Sequence, residues 1–231
     1  MKGYESNKTQ KSLIEFCTPF LASEEKAKEI INQLASEKRS SGDSLIPLQM
    51  LNQVKRYIEI IRLIDEQYPE RDGLRILFIR ICLESICHLS KEDKTLFYSR
   101  FSGCFRKEAV DYILSCFVLE SRINCANNKE LEKYRLTIDD YLKILKYIRN
   151  RTAHDGVFWD FRMFSPDGNT YLSIIRTDEK LLGKSTGDNI KNKIQYNFET
   201  TLNFDKFIHY YVEACLKYIC KFAGYPNLHS I

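Results

Sequence analysis

The sequence predicts a mainly α-helical bundle with a small antiparallel β-hairpin or sheet inserted before its last helix. Three observations lead there. Apolar residues recur at helical spacing up to residue 155 and again close to the C-terminus. Between residues 157 and 202 that period is lost, and aromatic and β-branched residues gather around a strong turn. The chain has 231 residues, 44% of them hydrophobic, including 14 Phe and 14 Tyr, enough to build a sizeable core. We read residues 1–231 as one domain, with N-terminal helices in 1–43, a β insertion in 157–202 and a final helix in 203–223.

Taken in order, residues 1–10 are polar and read as a frayed end. From Lys11 to Lys38 the pattern is helical, broken near Thr18-Pro19. Leu13, Phe16, Cys17 and Phe20 form one apolar face, and Ile30, Ile31 and Leu34 a second. Arg39 to Asp43 is a loop by composition. A helix from Leu48 to Gln67 carries Leu51, Val54, Ile58 and Ile61, and Tyr68-Pro69 stops it. The next, Leu74 to Leu89, is apolar almost all round and should be the most buried. Its polar residues Arg80, Glu84 and His88 follow one another at i, i+4 steps. They read as an internal salt bridge with a satisfied His, and Glu84 is also a candidate to orient Arg149 or line the same cleft.

Two helical stretches follow, Lys91 to Phe101 and Phe105 to Glu120, split by Ser102-Gly103, and Asn124 to Lys129 reads as a polar loop. Thr137 and Asp140 resemble a capping box opening a helix that ends at Asp155-Gly156. Val157 to Met163 then reads as a strand, Ser165-Pro166-Asp167-Gly168-Asn169 as a turn, and Thr170 to Arg176 as the returning strand. After a polar loop, 177–193, a third strand is expected at Gln195 to Leu202. Asn203 or Asp205 caps a last helix to Ala223, with Phe204, Phe207, Ile208, Tyr211, Cys215 and Ile219 on its inner side.

The formal net charge is +4, with both signs interspersed. That is compatible with a nucleic-acid partner without demanding one. The eight Cys form no C-x-x-C pair, and most lie in apolar helical runs, so they read as reduced, buried small hydrophobes. No apolar run reaches transmembrane length, and Met1-Lys2-Gly3-Tyr4 opens no signal peptide. A cytoplasmic protein without membrane contact is the expectation.

Several other chemical signals in the sequence fall short of what their chemistry requires. Gly183-Lys184-Ser185-Thr186 looks like the end of a phosphate-binding loop, but Asp178 stands where its first Gly belongs. No His, Cys or carboxylate cluster has metal-ligand spacing, and His154-Asp155 is the nearest approach, so neither metal nor cofactor is expected. No local motif supports a Cys–His nucleophilic pair. Phe158, Trp159 and Phe161 read more readily as a small core under a hairpin than as a base-stacking platform.

The residues that carry chemistry are Arg149-Asn150-Arg151-Thr152-Ala153-His154, closing the helix that begins after Thr137. At about 100° per residue, Ile138, Tyr141, Leu142, Leu145, Ile148 and Thr152 share one face, and Arg149 falls in the same sector. A guanidinium on the inward side of an amphipathic helix is costly unless it meets an anion or a cleft. His154 can both accept and donate a proton near neutral pH. A plainer requirement is also met here, because cations are favoured at a helix C-terminus by its dipole.

Arg-Asn-x-x-x-His at a helix end resembles the signature of HEPN domains, with Arg149, Asn150 and His154 in the three motif places. The resemblance rests on six residues and on the helical pattern around them. It implies an all-helical, metal-independent endoribonuclease in which the ribose 2′-hydroxyl attacks the adjacent phosphate and leaves a cyclic phosphate. Arg149 would then neutralise the phosphate, His154 would transfer protons, and Asn150 would donate a hydrogen bond or hold the helix end, with Glu84, Arg151 and Asp155 as possible support. It further implies a homodimer with a composite site, a role as a toxin or in antiviral defence, and an antitoxin or a larger defence complex as partner. In family members modified on a Tyr two residues after the motif His, that Tyr is the target, whereas this chain has Gly156 there. The reading from a different class is a non-catalytic helical binding or sensing module, or an accessory subunit of a defence complex.

Overall fold

The computed structural model describes residues 2–36, 45–69, 71–132, 135–156, 170–176 and 194–225. Among them are eight α-helices and four β-strands, so the protein is mainly α with a small antiparallel sheet formed before its last helix. The chain divides into two compact units, one made of Met1–Leu63, Phe78–Arg106 and Ile208–Ile231, the other of Ile64–Leu77 and Lys107–Phe207.

The first unit is helical. α1 (Lys2–Cys17) starts far earlier than the polar composition suggested. Apart from Gly3 at its very start, the stretch expected to fray holds several good helix formers and no breaker ahead of Pro19, so the helix runs on through it. A single 3₁₀ turn, Thr18–Phe20, makes the break, and α2 (Glu24–Ser36) follows. α3 (Ile46–Gln67) carries Pro47 in its first turn, where a missing N–H costs nothing. α4 (Asp72–Ser90) and α5 (Lys94–Ser102) come next, the latter capped by Asp93, whose carboxylate accepts from the backbone N–H of Thr95 and Leu96 at 2.8 and 3.2 Å.

The unit's core contains Leu13, Ile30, Ile31, Leu51, Val54, Ile58, Ile79, Leu83 and Ile86. An aromatic cluster of Phe97, Phe101, Tyr211 and Tyr218 joins it, with ring centroids 5.0–6.3 Å apart. Arg80 is buried here. Of the expected row with Glu84 and His88, Arg80 turns its Nη2 to Tyr98 Oη at 2.8 Å and lays its guanidinium over that ring. The last helix, α8 (Phe204–Phe222), is buried on every side except at a few positions, a distinction the sequence assigned to α4. Asn203 rather than Asp205 caps it, its Oδ1 accepting from Lys206 N at 2.9 Å.

The second unit holds α6 (Lys107–Cys116), the sheet and α7 (Ile138–Asp155). Here the structure corrects the sequence. The helix expected to reach Glu120 ends at Cys116, and Phe117–Asn124 is strand β1. β2 (Lys129–Glu130) returns from it, and β3 (Thr170–Arg176) and β4 (Ile194–Thr200) complete an antiparallel sheet in the order β2-β1-β4-β3. Half of the strands therefore precede α7 instead of lying within 157–202. The expected strand at 157–163, the turn after it, the 177–193 loop and the aromatic group around Trp159 lie outside the described residues.

The loop expected at 124–129 is the β1–β2 turn. Asn128 takes a positive φ of 54° there, and Asn127 Oδ1 accepts from Lys129 N at 3.0 Å. Along β4, Ile194, Tyr196, Phe198 and Thr200 are buried and alternate with half-buried polar residues. Phe117 packs on Phe198 at 5.0 Å, and Tyr141 of α7 meets the edge of Phe117 at 5.5 Å. Arg75 and Asp72 form a buried ion pair that extends to the exposed Asp65, with the guanidinium 4.3 Å over Phe204. Among the described residues no helix is long and apolar enough to cross a membrane.

Candidate functional site

α7 is a helix whose limits are written in its end residues. Thr137 Oγ1 accepts from Asp140 N at 3.2 Å, and Asp140 Oδ2 accepts from Thr137 N at 3.0 Å, a reciprocal capping box. The other end closes at Gly156, whose φ of 66° and ψ of 19° lie in the left-handed region that glycine enters without a Cβ clash. Tyr141, Leu142, Ile144, Leu145, Ile148 and Thr152 are buried, so the inward face is the one the periodicity predicts, widened by Ile144. Burial of Tyr141 pushes its phenol well above the ordinary tyrosine range, with the nearby Asp72 charge adding to the effect.

The motif sits on the last turns of this helix. Arg149 is half-buried, as its phase requires, and its Nη1 donates to Asn150 Oδ1 at 3.0 Å. Asn150 is thus an acceptor that holds the guanidinium beside it, where the sequence suggested a donor or a brace for the helix end. His154 is exposed. His154 lies five positions after Arg149, which puts them about 7.5 Å apart along the axis and about 140° apart around it. One faces the flank of the helix and the other faces solvent.

Arg151 belongs to neither the buried face nor the Arg149 flank. Its Nε pairs with Asp155 Oδ2 at 3.1 Å, and its Nη1 reaches Tyr147 Oη at the long distance of 3.5 Å. Tyr147 is a member of this group that the motif does not include. The signal was present in the i, i+4, i+8 series Tyr147, Arg151, Asp155, which stacks three side chains along one stripe.

Glu84 is half-buried on α4, in the first unit, at an open groove lined also by Gln53, Ile81, Ser85 and His88. The α7 residues form their cluster in the second unit. Among the described residues, no group of three or more His, Cys, Asp or Glu side chains is placed to hold a metal ion. The segment 183–186 lies outside the described residues. All eight Cys are free thiols, Cys125 alone exposed, and burial pushes Cys17 and Cys220 up to about 12.

The arrangement offers a delocalised cation held in place by a neighbouring amide and, about 1.4 turns further on and on another side of the helix, an accessible imidazole. Such a pair can neutralise a phosphate and move a proton. Comparison with protein-family models, curated proteins and solved structures finds no match to this chain.

Proposed function

We propose that the protein is an endoribonuclease of the HEPN type, cleaving RNA by attack of a ribose 2′-hydroxyl on the adjacent phosphate. The observation that carries the reading is the pairing of a half-buried, amide-held Arg149 with an exposed His154 at the glycine-capped end of α7. In this reaction the 2′-oxygen bonds to phosphorus, the P–O5′ bond breaks, and the products are a 2′,3′-cyclic phosphate and a 5′-hydroxyl. One proton leaves the 2′-oxygen and another arrives at the 5′-oxygen. Arg149 stabilises charge on the non-bridging oxygens, and His154 carries a proton.

A single chain contributes one imidazole in the motif, and Arg149 and His154 diverge by about 140° around the helix axis. Two chains about a two-fold axis supply two imidazoles and two guanidinium groups to one cleft, and so give the acid and the base separate side chains. A homodimer with a composite site is therefore part of the proposal. So is a cellular role as a toxin or antiviral-defence effector held in check by an antitoxin or a defence complex, for which growth arrest on expression, absent with Arg149→Ala, is the direct assay.

The biochemical test is incubation of purified protein with end-labelled RNA in EDTA. Cleavage yielding 2′,3′-cyclic phosphate ends supports the reading, and 3′-hydroxyl ends formed only without chelator overturn it. Mixing His154→Ala chains with wild-type chains tests the composite site. Activity should follow the wild-type homodimer fraction, and a fall in simple proportion to wild-type chains shows that each chain is complete. A protein that binds RNA without cutting it is the binding module instead.

A further inference from the structure

Besides the flank that carries Arg149, α7 presents a second stripe, to which His154 belongs. At about 100° per residue, Tyr147, Arg151 and His154 fall within about 60° of one another, on the side of the helix away from Arg149. The packing agrees. Tyr147 is half-buried, Arg151 and His154 are exposed, and the buried row runs through Leu145, Ile148 and Thr152. Arg151 is held from both directions along the axis, by Asp155 one turn ahead and by the Tyr147 hydroxyl one turn behind.

That arrangement differs from an ordinary helix-surface cation. A lone exposed Arg loses side-chain freedom when it meets an anion, whereas one already positioned by two neighbours loses less. Its planar fork matches a phosphate, and a tyrosine ring beside it offers a face on which any nucleobase can stack. Asp155 works the other way. Its carboxylate compensates the Arg151 charge and repels an approaching phosphate.

We propose that Tyr147 and Arg151 position single-stranded RNA on the His154 side of α7, Arg151 engaging a backbone phosphate and Tyr147 stacking on an adjacent base. The inference rests on the ribonuclease reading for its substrate and assigns these residues to binding rather than to the chemical step. It gives Asp155 an opposing role, because removing its charge strengthens binding.

The test separates binding from cleavage. Affinity for a short fluorescein-labelled single-stranded RNA of mixed sequence is measured by anisotropy across a salt series, in a His154→Ala background. Arg151→Ala weakens binding about tenfold and lowers the slope of log K against log salt by about 0.7. Tyr147→Ala weakens it about tenfold and Tyr147→Phe recovers most of the loss, since the ring still stacks and only the long hydroxyl contact to Arg151 is gone. Asp155→Asn binds more tightly than the parent. In the active protein, Arg151→Ala raises KM with little loss of kcat.

Wild-type cleavage combined with unchanged affinity and salt slope in Arg151→Ala overturns the inference and leaves the ribonuclease reading standing. Absence of wild-type cleavage with the binding pattern intact overturns that reading and leaves the RNA surface standing. A loss of kcat in Arg151→Ala as deep as in Arg149→Ala overturns the assignment to binding. Weaker binding in Asp155→Asn overturns the opposing role given to Asp155.

Discussion

At the start of α7, Thr137 and Asp140 direct their oxygens to each other's backbone N–H groups. At its end, Arg149 turns to Asn150, Arg151 turns to Asp155 and Tyr147, and His154 faces solvent. Both ends are rich in polar side chains, but they answer different needs. A helix start leaves backbone donors that side-chain oxygens satisfy, and the capping box accounts for both of its residues. The end is closed by Gly156 through backbone conformation, with no side chain required. The polar groups of the last turns therefore exceed what capping explains, and that surplus is where chemistry is to be sought.

The comparison breaks if the surplus turns out to be structural. The largest expected effect is on activity. Arg149→Ala and His154→Ala should each lower RNA cleavage by about a hundredfold or more, with melting temperatures close to the parent. Measured together, retained cleavage sinks the motif, and collapse of the fold reassigns the residues to stability.

The inward face of the same helix supplies the contrast. Leu145→Ala, at a fully buried position, should cost about 2–5 kcal/mol in denaturant unfolding. A loss below about 1 kcal/mol would mean that α7 is not packed as described. Smaller changes compare the two caps. Thr137→Ala should cost about 1 kcal/mol by removing a side-chain cap. Gly156→Ala should cost about 1 kcal/mol by forcing a Cβ into the left-handed region. Equal stability of either variant with the parent would remove that end from the comparison. The smallest effect belongs to Arg151→Ala, whose exposed ion pair with Asp155 should change stability by less than about 1 kcal/mol. A greater loss would make the Tyr147–Arg151–Asp155 ladder a structural brace.

How far all this could be read from the sequence depends on the range of the forces involved. Capping and helical phase are local. Thr137, Asp140 and Gly156 marked the limits of α7 because their partners lie within one turn or within their own backbone. The buried face of α7, including the half-burial of Arg149, followed from its 3.6-residue period. So did the inner side of α8, where Phe204, Phe207, Ile208, Tyr211, Cys215 and Ile219 are all buried.

The tertiary structure decided what local spacing leaves open. Ala109, Ile113 and Phe117 continue one another at i, i+4 steps, so the pattern carried the helix past Cys116. Phe117–Asn124 becomes a strand because β4, dozens of residues downstream, offers backbone partners and Phe198 a surface for Phe117. Ser121 takes its hydrogen bond from Asn197, 76 residues away, an interaction to which no local window has access. Likewise Arg80 finds Tyr98, 18 residues along the chain, because side chains choose among neighbours that only the folded chain assembles. The sequence by itself determined that most of the chain is helical, the caps and buried face of α7, the inner side of α8 and the residues with chemical capacity at the end of α7. Strand pairing and the partner of each polar group were settled by packing, where contacts distant in the chain outweigh local preference.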